Sequence, residues 1–341
     1  MTSVLIVDDE PAVRDIMARW VASLGLRPKT VANADEALAT LRTHEYDVAV
    51  IDVMMPGRDG LWLANQLQRD HPHTAVVIAT AYTNLVEGDI QNSPIAARTI
   101  ADFLVKPFQR DRFALAVDRG RQWRKQTIEE QQWHAMLAFE LRDRIESTCA
   151  AVQQCRAAGS SEIDALVGLA VERVPETMAH GERVARYAQS VAHALRLDQA
   201  VGSVLAVAAR LHDVGKAAIP EALLTKPSPL TPGEAAIMRQ HVDAGAEILA
   251  STETLAEAAP LVHATHEWFS GGGYPLELAG TAIPLASRIV AVADAYDAMT
   301  QDRIYRTHLA ASDAVAEMLR CTPQQFDPQI ISAFLAVLSG H

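Results

Sequence analysis

The chain has 341 residues, enough for roughly two domains at about 150 residues each. It is 49% hydrophobic and 21% charged, with 42 acidic against 30 basic side chains and a formal charge of −12, which excludes a disordered chain and argues against broad nucleic-acid or DNA binding. Three cysteines cannot form a disulfide framework, no apolar run reaches the roughly 18 residues of a membrane span, and the N-terminus turns acidic at Asp8 and Asp9, so a soluble cytoplasmic protein is expected.

Residues 4–7, 29–31, 48–51, 76–78 and 103–105 are short runs that predict strands. Four of them are nearly uninterrupted apolar runs, as in a parallel sheet covered on both faces. Helical patterns over 13–24, 34–41 and 61–69 lie between them. The order predicts a doubly wound α/β domain with a five-stranded parallel sheet, assigned to residues 1–120, with ligands bound at the carboxyl ends of the strands.

Residues 109–158 hold no proline and one glycine, Gly120, and predict a long helix. Its part over 121–158 reads as a helical connector. Leu141, Ile145, Thr148, Val152 and Cys155 form a modest heptad seam. That seam suits either pairing with a second copy, and so a homodimer, or packing on its own chain. From 159 to 341 the pattern is helical almost throughout, an all-α domain, and six of the twelve histidines fall from His180 to His266.

The first cluster of chemistry lies at strand ends. Asp8 and Asp9 follow the first strand, Asp52 ends the third, Thr80 ends the fourth and Lys106 follows the fifth. Three carboxylates gathered there repel unless a hard divalent cation such as Mg²⁺ sits among them. An aspartate beside such a cation can attack a phosphoryl phosphorus while Lys106 and Thr80 take up charge on the phosphoryl oxygens. Residues 1–120 resemble a response-regulator receiver domain. The resemblance implies that Asp52 is the phosphoacceptor, that Asp8, Asp9 and Asp52 hold Mg²⁺, that Thr80, Lys106 and Phe103 are switch residues, and that a sensor histidine kinase is the phosphodonor.

The second cluster is spread over the helical half. Glu176 and His180 are four apart on one helix face, and His212-Asp213 lies in Arg210-Leu211-His212-Asp213-Val214-Gly215-Lys216. His241 comes next, then Thr265-His266-Glu267, the loop Gly271-Gly272-Gly273-Tyr274-Pro275, and Asp294 within an apolar run. Imidazoles with carboxylates suit divalent transition metals, iron, manganese, nickel or zinc, better than calcium. A carboxylate such as Asp294 inside an apolar run is costly unless paired or metal-bound. Two close metals can activate water and clamp a phosphodiester for in-line attack, with the aspartate of a His-Asp pair bridging them.

These motifs resemble the HD-GYP family of metal-dependent phosphohydrolases, from about Pro175 to Phe326-Asp327-Pro328. His212-Asp213 matches its HD pair and Gly273-Tyr274-Pro275 its GYP loop. The resemblance implies a cyclic di-GMP phosphodiesterase that yields pGpG, and in some members GMP, under control of Asp52 phosphorylation. It implies metal ligands at Glu176, His180, His212, Asp213, His241, His266 and Asp294, catalytic roles for His212, Asp213 and Lys216, and substrate contacts from Lys216, Tyr274, Arg303 and Arg306. Iron or manganese is the expected metal, two ions or, as in some members, three.

Two positions depart from the family pattern. Thr265 stands where the first histidine of His-His-Glu is usual, and Ser270 where an aspartate is usual. Thr265 removes one imidazole and favours a two-metal site. His263, three residues from His266, is the candidate replacement, and otherwise structural. Asp297, three residues after Asp294, is placed to orient a ligand. The departure at Thr265 keeps a second reading open, a degenerate HD-GYP domain that binds cyclic di-GMP or a protein partner without turnover. A hydrolase of other nucleotides is disfavoured by the GYP loop.

Overall fold

Alternation of aliphatic side chains builds one sheet with two buried faces. The computed structural model describes residues 2–81, 100–158, 161–301 and 308–340, the side chains at 170, 175, 176 and 178 excepted. Strands β1 (Ser3–Val7), β2 (Arg27–Val31), β3 (Val48–Asp52), β4 (Ala75–Thr80) and β5 (Ile100–Val105) run parallel in the order β2-β1-β3-β4-β5. Helices α1 (Pro11–Ser23), α2 (Ala34–Leu41) and α3 (Gly60–Asp70) lie between them in sequence. Leu5, Val7, Ala49, Ile51 and Ile78 pack on one face with α2 and α3. Val4, Ile6, Val48, Val50 and Val77 pack on the other with α1 and with Phe113, Ala116 and Val117 from the start of α4 (Arg110–Ala157). Strand order reverses between β1 and β3, which opens the crevice at their carboxyl ends.

All five predicted strands are present, and each extends beyond the run the sequence pattern indicated, β1 and β3 by one residue, β2 by two, and β4 and β5 by three. β2 starts at Arg27 because an edge strand with exposed Arg27, Pro28 and Lys29 gives no apolar signal. β5 starts at Ile100 because Asp102 interrupts its apolar run. That aspartate is 8% exposed and is held by Arg112, at 2.7 and 2.8 Å, and by Arg119 at 3.3 Å.

The chain divides into two compact units, Met1–Trp133 and His134–His341, and the division falls inside α4. The heptad seam is not free to pair with a second copy. Leu141 (3% exposed), Ile145 (6%) and Val152 (0%) are buried, with Leu137, in the core of their own unit. Over so few turns a 3.5-residue and a 3.6-residue repeat are indistinguishable, so the spacing alone could not separate a coiled coil from a packed helix.

The second unit contains α5 (Glu162–Arg173), α6 (Pro175–Ala194), α7 (Gln199–Leu211), α8 (Glu221–Leu224), α9 (Pro232–Arg239), α10 (His241–Ala250), α11 (Ala259–His263), α12 (Leu285–Thr300), α13 (Ala311–Arg320) and α14 (Pro328–Ser339). It is all-helical among the described residues, as the sequence predicted. Helix α7 serves two cores. Ala208 and Leu211 pack with α4, α10 and α11, and Leu205 and Ala209 pack with α6, α12 and α14. Its C-terminus delivers His212 and Asp213 to the place where these helices meet. Among the described residues, no helix is long and apolar enough to cross a membrane.

Candidate functional site

In the first unit the expected residues meet at the sheet edge. The side-chain oxygens of Asp8, Asp9 and Asp52 lie within 4.8 Å of one another. Asp8 is fully buried and Asp52 nearly so. Lys106 Nζ lies 2.8 Å from Asp8 Oδ2 and 3.0 Å from Asp52 Oδ2. One ammonium among three carboxylates leaves a net negative site, and a hard cation with oxygen ligands fits it. Burial pushes the Asp52 carboxyl up, while hydrogen bonding and charge from Lys106 pull it down. Thr80 is buried, and its carbonyl accepts the Lys106 backbone N–H at 2.8 Å, so the two sit on adjacent strand ends. Phe103 packs partly buried against the sheet core.

In the second unit two glycines set the spacing of the site. A Cβ on Gly181, beside His180, would stand 2.3 Å from the Arg210 carbonyl oxygen, so α6 and α7 approach closely only with glycine there. A Cβ on Gly215 would stand 1.9 Å from the His241 carbonyl oxygen, where the 3₁₀ turn Val214–Ala218 meets α10. Across these contacts the side chains form two triads. His180, His212 and Asp294 offer ligand atoms within 4.8 Å of one another, and so do Asp213, His241 and His266.

Asp213 joins the triads. Its Oδ2 lies 3.6 Å from His212 Nε2 and 4.0 Å from His180 Nε2, and its Oδ1 lies 3.6 Å from His241 Nε2. Asp294 Oδ1 faces His180 Nε2 at 3.0 Å and His212 Nε2 at 3.7 Å. His241 Nε2 and His266 Nε2 are 3.2 Å apart. Two nitrogens bound to one ion at about 2.1 Å and near a right angle stand roughly 3 Å apart, so this pair fits as ligands of a single ion.

The far side of three rings is tied down. His212 Nδ1 donates to the Ala209 carbonyl at 2.8 Å, His241 Nδ1 to the Met238 carbonyl at 2.9 Å, and His180 Nδ1 pairs with Asp297 Oδ2 at 2.6 Å. Each tether turns the Nε2 lone pair inward, the arrangement that orients imidazole on a metal. His180 Nε2 and His212 Nε2 are buried with no hydrogen-bond partner of good geometry. The donor set therefore fits two divalent ions.

The site's electrostatics show a shortage of positive charge. Burial opposes the charged form of His180, yet Asp294 and Asp297 push it up to about 9. Asp294 is held well below the carboxylate range, since His180 and His212 outweigh its burial. Burial raises Asp213, but Lys216, His212 and His241 bring it down further. Burial and the neighbouring His241 take His266 down to about 4, so this ring is neutral near pH 7. Lys216 Nζ lies 2.5 Å from Asp213 Oδ2. Tyr274 stacks flat on His266, with ring centroids 5.1 Å apart and planes 3° apart, and burial pushes its phenol up to about 12.

The remaining expected residues sort plainly. Thr265 is buried and its hydroxyl donates to the Val262 carbonyl at 2.8 Å, so it offers nothing to the triads. His263 does not replace the missing imidazole; its Nε2 pairs with Asp243 Oδ1 at 2.7 Å, partly exposed. Asp297 is fully buried and orients His180 as its spacing suggested. Glu176 lies in α6, but its side chain is outside the described ones, and Arg303 and Arg306 are outside the described residues.

Two residues were missed. Arg183 clamps Asp297 bidentately through Nε and Nη2, at 2.6 and 2.8 Å, and its signal was the three-residue step from His180 on one helix face. Glu267 is 3% exposed and accepts the Leu276 N–H at 2.6 Å and the Leu278 N–H at 3.0 Å, which fixes the loop carrying Tyr274. Its signal was a carboxylate adjoining His266.

A receiver-domain model matches residues 4–118 and an HD-domain model matches residues 164–330. Over 338 residues the chain is 31% identical to the "Cyclic di-GMP phosphodiesterase response regulator RpfG" of Xanthomonas campestris pv. campestris, covering 98% of this chain and 87% of that one. The chain belongs to the family of receiver-linked HD response regulators. This response regulator is also 29% identical over 338 residues to a "Cyclic di-GMP phosphodiesterase" of Thermotoga maritima, covering 98% of this chain and 89% of that one. Over 165 residues it is 39% identical to the "3'3'-cGAMP-specific phosphodiesterase 2" of Vibrio cholerae, covering 48% of this chain and 32% of that one. An HD domain binds divalent metal and a receiver domain takes its phosphoryl group from a donor, so the regulator's two clusters correspond to its two domains.

Proposed function

We propose that this response regulator hydrolyses cyclic di-GMP to linear pGpG, under control of phosphorylation at Asp52. The observation that carries the reading is the pair of triads joined through the two oxygens of Asp213, with three imidazoles tethered at Nδ1. Divalent ions held there, for which iron or manganese suits the imidazole-rich donor set, would supply Lewis acidity and lower the pKa of water. His180, His212 and Asp294 would hold one ion, and Asp213, His241 and His266 the other. Lys216, anchored on Asp213, presents an ammonium to the phosphodiester and a proton to the departing sugar oxygen. Tyr274 contacts the substrate from the loop fixed by Glu267. Thr265, whose hydroxyl is turned to its own backbone, favours two ions over three. Thr265 was also the ground for binding without turnover, and the two triads close without it.

In the receiver, Asp8, Asp9 and Asp52 would hold Mg²⁺, a hard cation suited to their oxygens. A carboxylate oxygen of Asp52 forms the new O–P bond as the P–N bond of a phosphohistidine on a sensor kinase breaks. Lys106, already between Asp8 and Asp52, takes up the phosphoryl charge, with Thr80 and Phe103 as the responding pair. Because α4 belongs to both compact units, it is the covalent route for control of the second by the first. A homodimer through this helix uses the face away from the buried seam, where Met136 is 49% and Phe139 76% exposed. Sedimentation of Phe139→Glu against the native chain tests that contact: the variant is expected to be a monomer, and an unchanged mass refutes it. A cytoplasmic location accords with the three free cysteines. The activity is tested by loading the protein anaerobically with iron or manganese and separating the products formed from cyclic di-GMP and from 3'3'-cGAMP. Linear dinucleotide lost in His212→Ala supports the reading. Intact cyclic dinucleotide after incubation with metal-loaded protein refutes it.

A further inference from the structure

Among the described residues, two cations beside the cage are engaged. Arg183 is held bidentately by Asp297, and Lys216 by Asp213. Arg239 is different. It is the last residue of α9, two positions before the cage residue His241 that opens α10. It is exposed and makes no ion pair among the described residues. Its guanidinium lies over the Tyr274 ring, with Cζ 5.3 Å from the centroid, and the same ring stacks on His266, whose Nε2 faces His241 Nε2 at 3.2 Å. Arg239 thus stands at the rim of the cage, one tyrosine away from it, with no ion-pair partner among the described residues. A guanidinium resting on an aromatic face keeps its N–H edges free and loses little side-chain entropy when those edges bind an anion.

A cyclic dinucleotide carries two phosphodiesters. Only one of them can lie at the ion-binding triads while it is cut. The other is a second anion, some distance from the reacting phosphorus, in a protein whose formal charge is −12. We propose that Arg239, seated on Tyr274, binds this second, non-scissile phosphate and so sets the preference for cyclic dinucleotides over simple phosphodiesters. The proposal rests on the phosphodiesterase reading given above and adds a specificity-determining residue to it. Phosphate is a better assignment than a guanine edge because the position needs charge, and a bidentate guanidinium fits two phosphate oxygens.

The test compares the metal-loaded native protein with Arg239→Ala and Arg239→Lys on cyclic di-GMP, 3'3'-cGAMP and bis(p-nitrophenyl) phosphate, which has no second phosphate. Loss of a charge-assisted contact made equally in the ground and transition states raises KM with little change in kcat. Arg239→Ala is expected to raise KM for both cyclic dinucleotides by the same factor, roughly 10- to 100-fold. The loss in kcat/KM on the small diester is expected to be at least about 10-fold smaller. Arg239→Lys should recover part of the loss, and the salt dependence of KM should weaken in Arg239→Ala. Equal losses on all three substrates would overturn the proposal, because they would mean that Arg239 only props Tyr274. A change in the preference between the two cyclic dinucleotides would also overturn it, in favour of guanine reading. Native protein active on the small diester but inert on both cyclic dinucleotides would remove the underlying reading, and the proposal with it.

Discussion

Replacing Asp297 with asparagine isolates the residue that aims His180. Asp297 is fully buried, pairs with His180 Nδ1 at 2.6 Å and takes Arg183 at 2.6 and 2.8 Å. Asparagine keeps the volume and one carbonyl oxygen but removes the charge and presents an amide N–H where a carboxylate oxygen stood. A partner that orients a metal-binding imidazole is worth about 10- to 100-fold in metal affinity, or about 1.4 to 2.8 kcal/mol. The metal-free protein loses stability as well. Hydrogen bonds to a charged group contribute about 1.5 to 3 kcal/mol each, and partial retention through the remaining oxygen brings the expected loss to about 3 kcal/mol. The assay is competition for manganese against a chelating dye, with chemical denaturation of the metal-free protein alongside it. Asp297→Asn should bind metal at least about 10-fold more weakly while still unfolding cooperatively. Metal affinity within about 2-fold of native in a folded variant would refute the claim that Asp297 positions His180.

Other perturbations give equally definite outcomes. Glu267→Gln places an amide N–H against the Leu276 or Leu278 N–H, so hydrogen exchange over residues 271–279 should speed up by about 10-fold or more and KM should rise; unchanged exchange refutes the latch. Leu137→Ala should cost about 2 to 5 kcal/mol in denaturation of the second unit, since Leu137 is fully buried there; a loss below about 0.5 kcal/mol would mean that this part of α4 is not packed on its own chain. In the receiver, burial raises Asp102, but Arg112, the Phe103 backbone and Arg119 outweigh it and hold the carboxyl below its ordinary 3.8. A depressed carboxylate stabilises the fold above its unfolded value and loses that effect as pH falls through the folded one. The stability advantage of the native chain over Asp102→Asn should therefore be full at pH 7 and shrink below about pH 4; an advantage that grows on acidification contradicts the assignment.

Much of the molecule was legible because its signals are local. The sheet was written in aliphatic runs, and its acidic edge in the charged residues that end or follow them. What was hidden depended on partners distant in sequence. β5 was shortened because the sequence shows Asp102 as a break, whereas Arg112 and Arg119 make it a buried ion cluster within the sheet. The seam on α4 could not reveal whether it met a second copy or its own core. Individual histidines were ambiguous for the same reason. His263 and His266 sit three apart on one short stretch, yet one pairs with Asp243 while the other closes a triad with Asp213 and His241. Glu267, Arg183 and Arg239 act on partners 9, 114 and 35 residues away in sequence, and the local spacing that marks Arg183 beside His180 does not name its partner.

The central claim is that the two triads joined by Asp213 form a working dinuclear phosphodiesterase. Its most direct test is metal content and product analysis on one anaerobic preparation. The account predicts two divalent ions per chain, conversion of cyclic di-GMP to a linear dinucleotide, and loss of turnover together with loss of metal in Asp213→Asn. Two bound ions per chain with cyclic di-GMP left intact, or undiminished turnover in Asp213→Asn, would contradict it.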